Sequence, residues 1–374
     1  MFLAAIFRTF AQTTNVCSMP STLHNILLIR LSSIGDVILT TPMLRVLRER
    51  YPELRLHFAV RREFSDLLRR NPHIDRLIPV DTTRGSHGLR ALNLQLTAEH
   101  YDAVFDLQNN FRSRLLRNGL ARSTHVINKR QWRRLLLLKS GINLYDGITP
   151  VPQRYIETAL RYDLAPDDRG PELHLDADLR GTARLKLRAA GWQDERPLVG
   201  ICPGARHFTK RWPAERFAAL APLLLDRGFD IAVFGAEDEM EAAEILQSLH
   251  PHRVHNCCGR LTLMENAAAM EHCSTVFAND SGLMHMAAAV GVPVIAVFGS
   301  TVREFGFAPY QAASAIVETA GLSCRPCTHI GRARCPKKHL ACLRLIGEND
   351  VLTAWDELMS GREMCGKSGA EHGG

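Results

Sequence analysis

No apolar run in these 374 residues approaches the ~20 needed to span a bilayer. The opening MFLAAIFRTFAQ is hydrophobic only briefly, and Arg8 interrupts it, so it falls short of the apolar core of a signal peptide. A cytoplasmic protein is therefore expected, with residues 1–22 as a flexible arm. Aromatic residues are few, 7%, and do not interleave with the cations, which argues against a nucleic-acid-binding role. There is no lysine-bearing phosphate loop and no GxGxxG fingerprint, so neither a P-loop kinase nor a nicotinamide enzyme is favoured. Acids are missing altogether between Asp106 and Asp146, where Arg112, Arg114, Arg117, Arg122, Lys129, Arg130, Arg133, Arg134 and Lys139 fall. On a chain of net charge +7, such a stretch is either a solvated basic face or the seat of an anionic partner. Within it, QWRRLLLLKS adds a Trp and four leucines to the cations, suiting either a headgroup layer or a buried helix with a basic rim.

What the chain does contain is alternation. NILLIRL (25–31), LRLHFAV (54–60), RLIPV (76–80) and DAVFDLQ (102–108) read as buried strands separated by helical stretches. A segment rich in Pro, Asp and Gly, LAPDDRGPELHLD (164–176), reads as a linker. The alternation then resumes with strands near 197–204, 229–235, 274–280 and 293–300. The pattern predicts an α/β protein of two doubly wound, Rossmann-like parallel-sheet domains, 23–170 and 171–358, with a disordered tail over 359–374. Ligands of such sheets lie beyond the carboxyl ends of the strands, in the cleft between the domains.

Four motifs sit at strand ends. RLSSIGDVILTTP (30–42) leaves the first strand through two serines and a glycine and then presents Asp36, as a helix cap or as a base over a substrate. CPGARHFTKRWP carries Lys210, either a surface cation or one that neutralises a departing diphosphate. In GAEDEMEA, Glu239 is either a first-turn helix acid or an acceptor for both hydroxyls of a ribose. NDSGLMHMAAAVG opens a helix at Asp280, Ser281 and Gly282, with His285 one turn in. This is an ordinary capped helix or a seat for a diphosphate on unpaired amides.

Taken together, in this order over residues 25–310, these motifs resemble glycosyltransferase family 9, the ADP-heptose:lipopolysaccharide heptosyltransferases. KRWP and NDSGLMH look more like the branch that adds the second inner-core heptose than the branch that adds the first. The resemblance implies a GT-B fold, with an amino-terminal acceptor domain and a carboxyl-terminal donor domain. It also implies an inverting, metal-independent transfer of heptose from ADP-heptose to a phosphorylated lipid A–core acceptor at the cytoplasmic face of the inner membrane. Asp36 then matches the family's base, Lys210 the lysine on the donor phosphates, and Glu239 the acid on the ribose. Asp280, Ser281, Gly282 and His285 match the donor-site turn, and Leu261 falls where a side chain packs on adenine. Ser32, Ser33 and Gly35 would hold the acceptor, and a monomer is expected.

Ten cysteines without an export signal argue for reduced thiols. Cys324, Cys327, Cys335 and Cys342 form C-x2-C-x7-C-x6-C, a spacing compatible with a structural Zn²⁺. The second pair is not a compact knuckle, however, and no cofactor is required, so reduced surface thiols or an occasional disulfide are the expected reading.

Overall fold

The computed structural model describes residues 23–370. The expected arm, 1–22, lies outside the described residues. Five parallel strands form the first sheet: β1 (Asn25–Ile29), β2 (Arg55–Arg61), β3 (Arg76–Val80), β4 (Tyr101–Asp106) and β5 (Ala121–Val126), in the order β3-β2-β1-β4-β5. Six make the second: β6 (Leu198–Cys202), β7 (Asp230–Val233), β8 (Val254–Asn256), β9 (Cys273–Asn279), β10 (Val294–Phe298) and β11 (Ser314–Glu318), in the order β11-β10-β9-β6-β7-β8. After Asn25, the interior strand NILLI is apolar, as is all of VIAVF, because helices cover both faces and neither face has to meet water.

Both orders reverse beside the first strand of their own sheet, between β1 and β4 and between β6 and β9. Loops leaving the two strands at such a reversal run to opposite faces and open a crevice between them. RLSSIGD follows β1. CPGARHFTK follows β6, and DSG follows β9. The sheet orders therefore carry three of the four motifs to the two crevices.

Asp36 lies on a one-turn helix, Ile34–Ile38, that precedes the helix Thr41–Arg50. Gly85 opens the helix Gly85–Thr97, which also contains Gly88. One feature differs from the sequence reading. Residues 359–370, expected as a disordered tail, continue the helix Glu348–Ala370. That helix is anchored on the second sheet, where buried Trp355 stacks edge-on against Phe229 and Phe277 and its indole donates to Thr275 Oγ1 at 2.9 Å.

Candidate active site

Asp36 is fixed by its own turn. Ser33 donates from its backbone N–H (3.1 Å) and hydroxyl (2.8 Å) to Asp36 Oδ2, closing a capping box on Ile34–Ile38. Arg30 Nη2 meets Oδ1 at 2.5 Å. The capping and base readings of this aspartate are thus compatible, since the side chain caps its turn and still keeps 18% of its surface exposed. Burial pushes the carboxyl up, but Arg30 and the two Ser33 donors outweigh it and hold the group below the usual carboxylate range. Gln108, just past β4, accepts from the backbone N–H groups of Leu31 (3.0 Å) and Ser32 (3.1 Å) and so fixes the turn from the neighbouring strand.

The one-turn helix abuts the helix Gly282–Ala289 of the other domain. Gly35 and Gly282 make this approach fit. A Cβ on Gly35 would stand 2.5 Å from His285 Cδ2, and one on Gly282 would stand 2.9 Å from Ile34 Cβ. Gly35, expected to hold the acceptor, thus also serves as the interdomain contact. A cavity of about 360 Å³ opens at this junction, lined by Ser32, Ser33, Gly35 and Asp36 from one domain and Lys210, Asp280, Ser281, Gly282 and His285 from the other.

On the second domain, Lys210 Nζ is 2.6 Å from Asp280 Oδ2, which also accepts from Thr301 Oγ1 at 2.6 Å. Asp280 therefore positions the lysine. Ser281 Oγ and His285 Nδ1 are buried without a protein partner, as donors and acceptors reserved for a ligand would be. Burial lowers the His285 imidazole to about 4, against the opposing pull of Asp280 and Asp36, so the ring is neutral at pH 7. Glu239 lies in another cavity, of about 600 Å³, with Pro203, Gly204, Arg211 and Trp212. Its carboxylate rests against Gly204, where a Cβ would overlap it, and accepts from Ala236 N–H at 2.8 Å. Burial raises this carboxyl, with the Ala236 amide opposing. Leu261 is not brought to these cavities. It is 9% exposed and packs in the core with Met264, because its segment turns inward before the helix Leu263–Met270.

Asp36 and Arg30 also line a cavity of about 190 Å³ on the first-domain side, whose other walls include Lys129, Arg134, Arg154, Tyr155 and His329. Asp36 is the one carboxylate among its lining residues. Lys129 and Arg134 come from the acid-free stretch. Arg154 and His329 are additions that carried no local signal. His329 arrives from the cysteine segment, which is tied down by hydrogen bonds from Arg325 to the carbonyls of Gly299 (2.7 Å) and Thr301 (2.8 Å) and from Arg332 N–H to Thr209 Oγ1 (2.9 Å). The four cysteines of that segment line one cavity of about 480 Å³ and are free thiols. Among the described residues, no three of their sulfurs lie within 4.8 Å of one another.

Two Rossmann-like sheets, with a carboxylate from one and a lysine, a glycine turn and a neutral histidine from the other meeting at their junction, define a GT-B glycosyltransferase. The glycosyltransferase family 9 (heptosyltransferase) profile matches residues 89–338, and the chain belongs to that family. It is 30% identical over 306 residues to lipopolysaccharide heptosyltransferase 2 of Escherichia coli, covering 75% of this chain and 84% of that one. Among solved structures, a family 9 glycosyltransferase from Veillonella parvula superposes with a TM-score of 0.74 at 25% identity, covering 92% of this chain and 99% of that one. The E. coli ADP-heptose LPS heptosyltransferase II superposes at 0.69 and 25%, covering 91% and 99%.

Proposed function

We propose that the protein transfers heptose from ADP-heptose to the heptose-terminated inner core of lipopolysaccharide, with inversion and with Asp36 as the base. One observation carries the reading: Asp36 is shared by two adjoining cavities, one walled by Lys129, Arg134 and Arg154 and the other by Lys210, Asp280, Ser281, Gly282 and His285. The donor lies on the side of Lys210, Ser281, Gly282 and His285, its diphosphate on the amides that open the helix Gly282–Ala289 and its leaving charge met by Lys210. Glu239 takes the ribose. The acceptor lies on the side of Arg30, Lys129, Arg134 and Arg154, which suit its phosphates and ketosidic acids. Its attacking hydroxyl gives its proton to Asp36 as the bond from the anomeric carbon to the ADP oxygen breaks, through a transition state with oxocarbenium character. Arg30 depresses the basicity of Asp36, so an acceptor anion that engages Arg30 raises it and ties base activation to acceptor binding. Both cavities are built within one chain, and the reading needs no second copy. No metal takes part.

Trp132 is 80% exposed, with Leu135, Leu136, Ile142, Leu144 and Ile148 exposed close by in sequence. Among the described residues, no helix is long and apolar enough to cross a membrane. This patch is the surface we assign to peripheral contact with the inner membrane, where the lipid-linked acceptor resides.

The test is transfer from ADP-heptose to truncated lipopolysaccharides ending in Kdo or in a first heptose. Product on the heptose-terminated acceptor alone supports the reading. Product on neither, with ADP still bound, would move the search to another sugar or glycan.

A further inference from the structure

Outside the active site, three ligand-type side chains converge where the first domain meets the linker. His73 Nε2 is 3.1 Å and His174 Nε2 is 3.4 Å from the same oxygen, Glu172 Oε1. Glu172 Oε1 and His174 Nε2 are both buried without a well-aligned hydrogen-bond partner. Among the described residues this is the one set of three whose ligand atoms all lie within 4.8 Å of one another.

The backbone explains the convergence. From Pro171 to Leu175 burial alternates as in an extended chain, with Pro171, Leu173 and Leu175 buried and Glu172 and His174 half-buried between them. Alternation in an extended chain puts residues two apart side by side, so the Glu-x-His pair is preset. His73 comes from the turn after Asn71, whose side chain accepts from the His73 N–H at 2.9 Å. The linker is itself held between the domains. Glu172 N–H donates to Thr41 Oγ1 (2.9 Å), and Leu173 N–H donates to the Ala289 carbonyl (3.2 Å) at the end of the helix Gly282–Ala289.

We propose that His73, Glu172 and His174 bind a divalent transition-metal cation, Zn²⁺ above all, which clasps the interdomain linker to the first domain. Ligand bonds of about 2.0–2.1 Å in a tetrahedral site set ligand atoms ~3.3 Å apart, which is the spacing of the two nitrogens from Glu172 Oε1. Two imidazoles and a carboxylate form a borderline donor set suited to Zn²⁺, with a fourth position left to water. The supporting shell is in place: Arg45 Nη1 holds Glu172 Oε2 at 2.7 Å and is itself neutralised by Asp167 at 2.6 Å. The site lines neither cavity that contains Asp36. Its role is structural and independent of the transfer reaction.

The test uses the full-length, chelator-stripped, reduced protein titrated with Co²⁺ and with Zn²⁺. The expected result is one equivalent of Co²⁺ with visible d–d bands and no sulfur-to-cobalt charge transfer, kept in a Cys324→Ser/Cys327→Ser variant. His73→Ala and His174→Ala should each weaken binding by more than the roughly 10–100-fold that loss of a supporting shell costs. Zn²⁺ should raise the melting temperature of the wild type and of the cysteine variant, but not of His73→Ala. A cobalt spectrum due to thiolate alone, binding unchanged in His73→Ala/His174→Ala, or no uptake by the wild type would each overturn the proposal.

Discussion

Asp36 caps a turn, pairs with Arg30 and faces both cavities, so its replacement has to separate charge from shape. Asp36→Asn keeps an acceptor for the Ser33 amide and loses the charge. Its kcat should fall by about 10²–10⁴, the usual share of a general base, with ADP protection against heat unchanged. A variant that transfers at the wild-type rate would leave Asp36 as a cap only. His285 yields a pH prediction. Its folded value is lowered to about 4 against ~6.5 unfolded, so the neutral ring contributes stability above pH 6.5. Below that, the unfolded chain takes up a proton that the folded chain refuses, and stability falls until about pH 4, by up to ~3 kcal/mol. His329, also lowered to about 4 by burial and then by Arg134, adds to the same window. Denaturant titrations between pH 7 and 4 should show the slope, and His285→Gln should flatten it. An identical slope in that variant would mean the ring is open to protons. Lys210, Glu239 and Asp36 were legible one by one because each stands at a strand end. Arg154 and His329 were not, since nothing near them in the chain marks the cavity they reach by tertiary packing.

At the level of elements, the two domains meet through two helix starts with glycines between them. Gly35→Ala should drive its methyl into the buried His285 ring, 2.5 Å from Cδ2, so that the ring or the one-turn helix has to shift. We expect a loss of about 1–3 kcal/mol of stability and at least ~10-fold in kcat/KM, read by thermal melting and the transfer assay. Unchanged values would show that the domains do not close on this contact. The strands tell a parallel story. Eight were visible as apolar runs. The three that were not, β5, β8 and β11, are all at sheet edges. ARSTHV alternates in exposure and is largely polar, VHN is three residues long, and SAIVE is only partly covered, so none carries the continuous apolar signature of a central strand.

For the whole molecule, the acid-free stretch divides its work. Arg134 and Lys129 turn inward to the cavity beside Asp36, and Arg130 is bound to Glu157 at 2.9 Å. Trp132 and Leu135 face out. The membrane reading is therefore probed on the apolar side chains. Trp132→Ser/Leu135→Ser should lower binding to anionic vesicles about tenfold or more while leaving turnover of a short, delipidated acceptor unchanged. Wild-type vesicle binding would remove this patch as the docking surface.

The sequence by itself determined the two-sheet α/β plan, the linker and the motifs at the strand ends, because these rest on local periodicity and on residues adjacent in the chain. Only the tertiary structure decided that Asp36 joins two cavities and that Leu261 packs inward. It also decided that His73, about a hundred residues upstream, faces Glu172 and His174. Each of these depends on which segments the sheet order brings together across long stretches of chain, and no local pattern encodes that order.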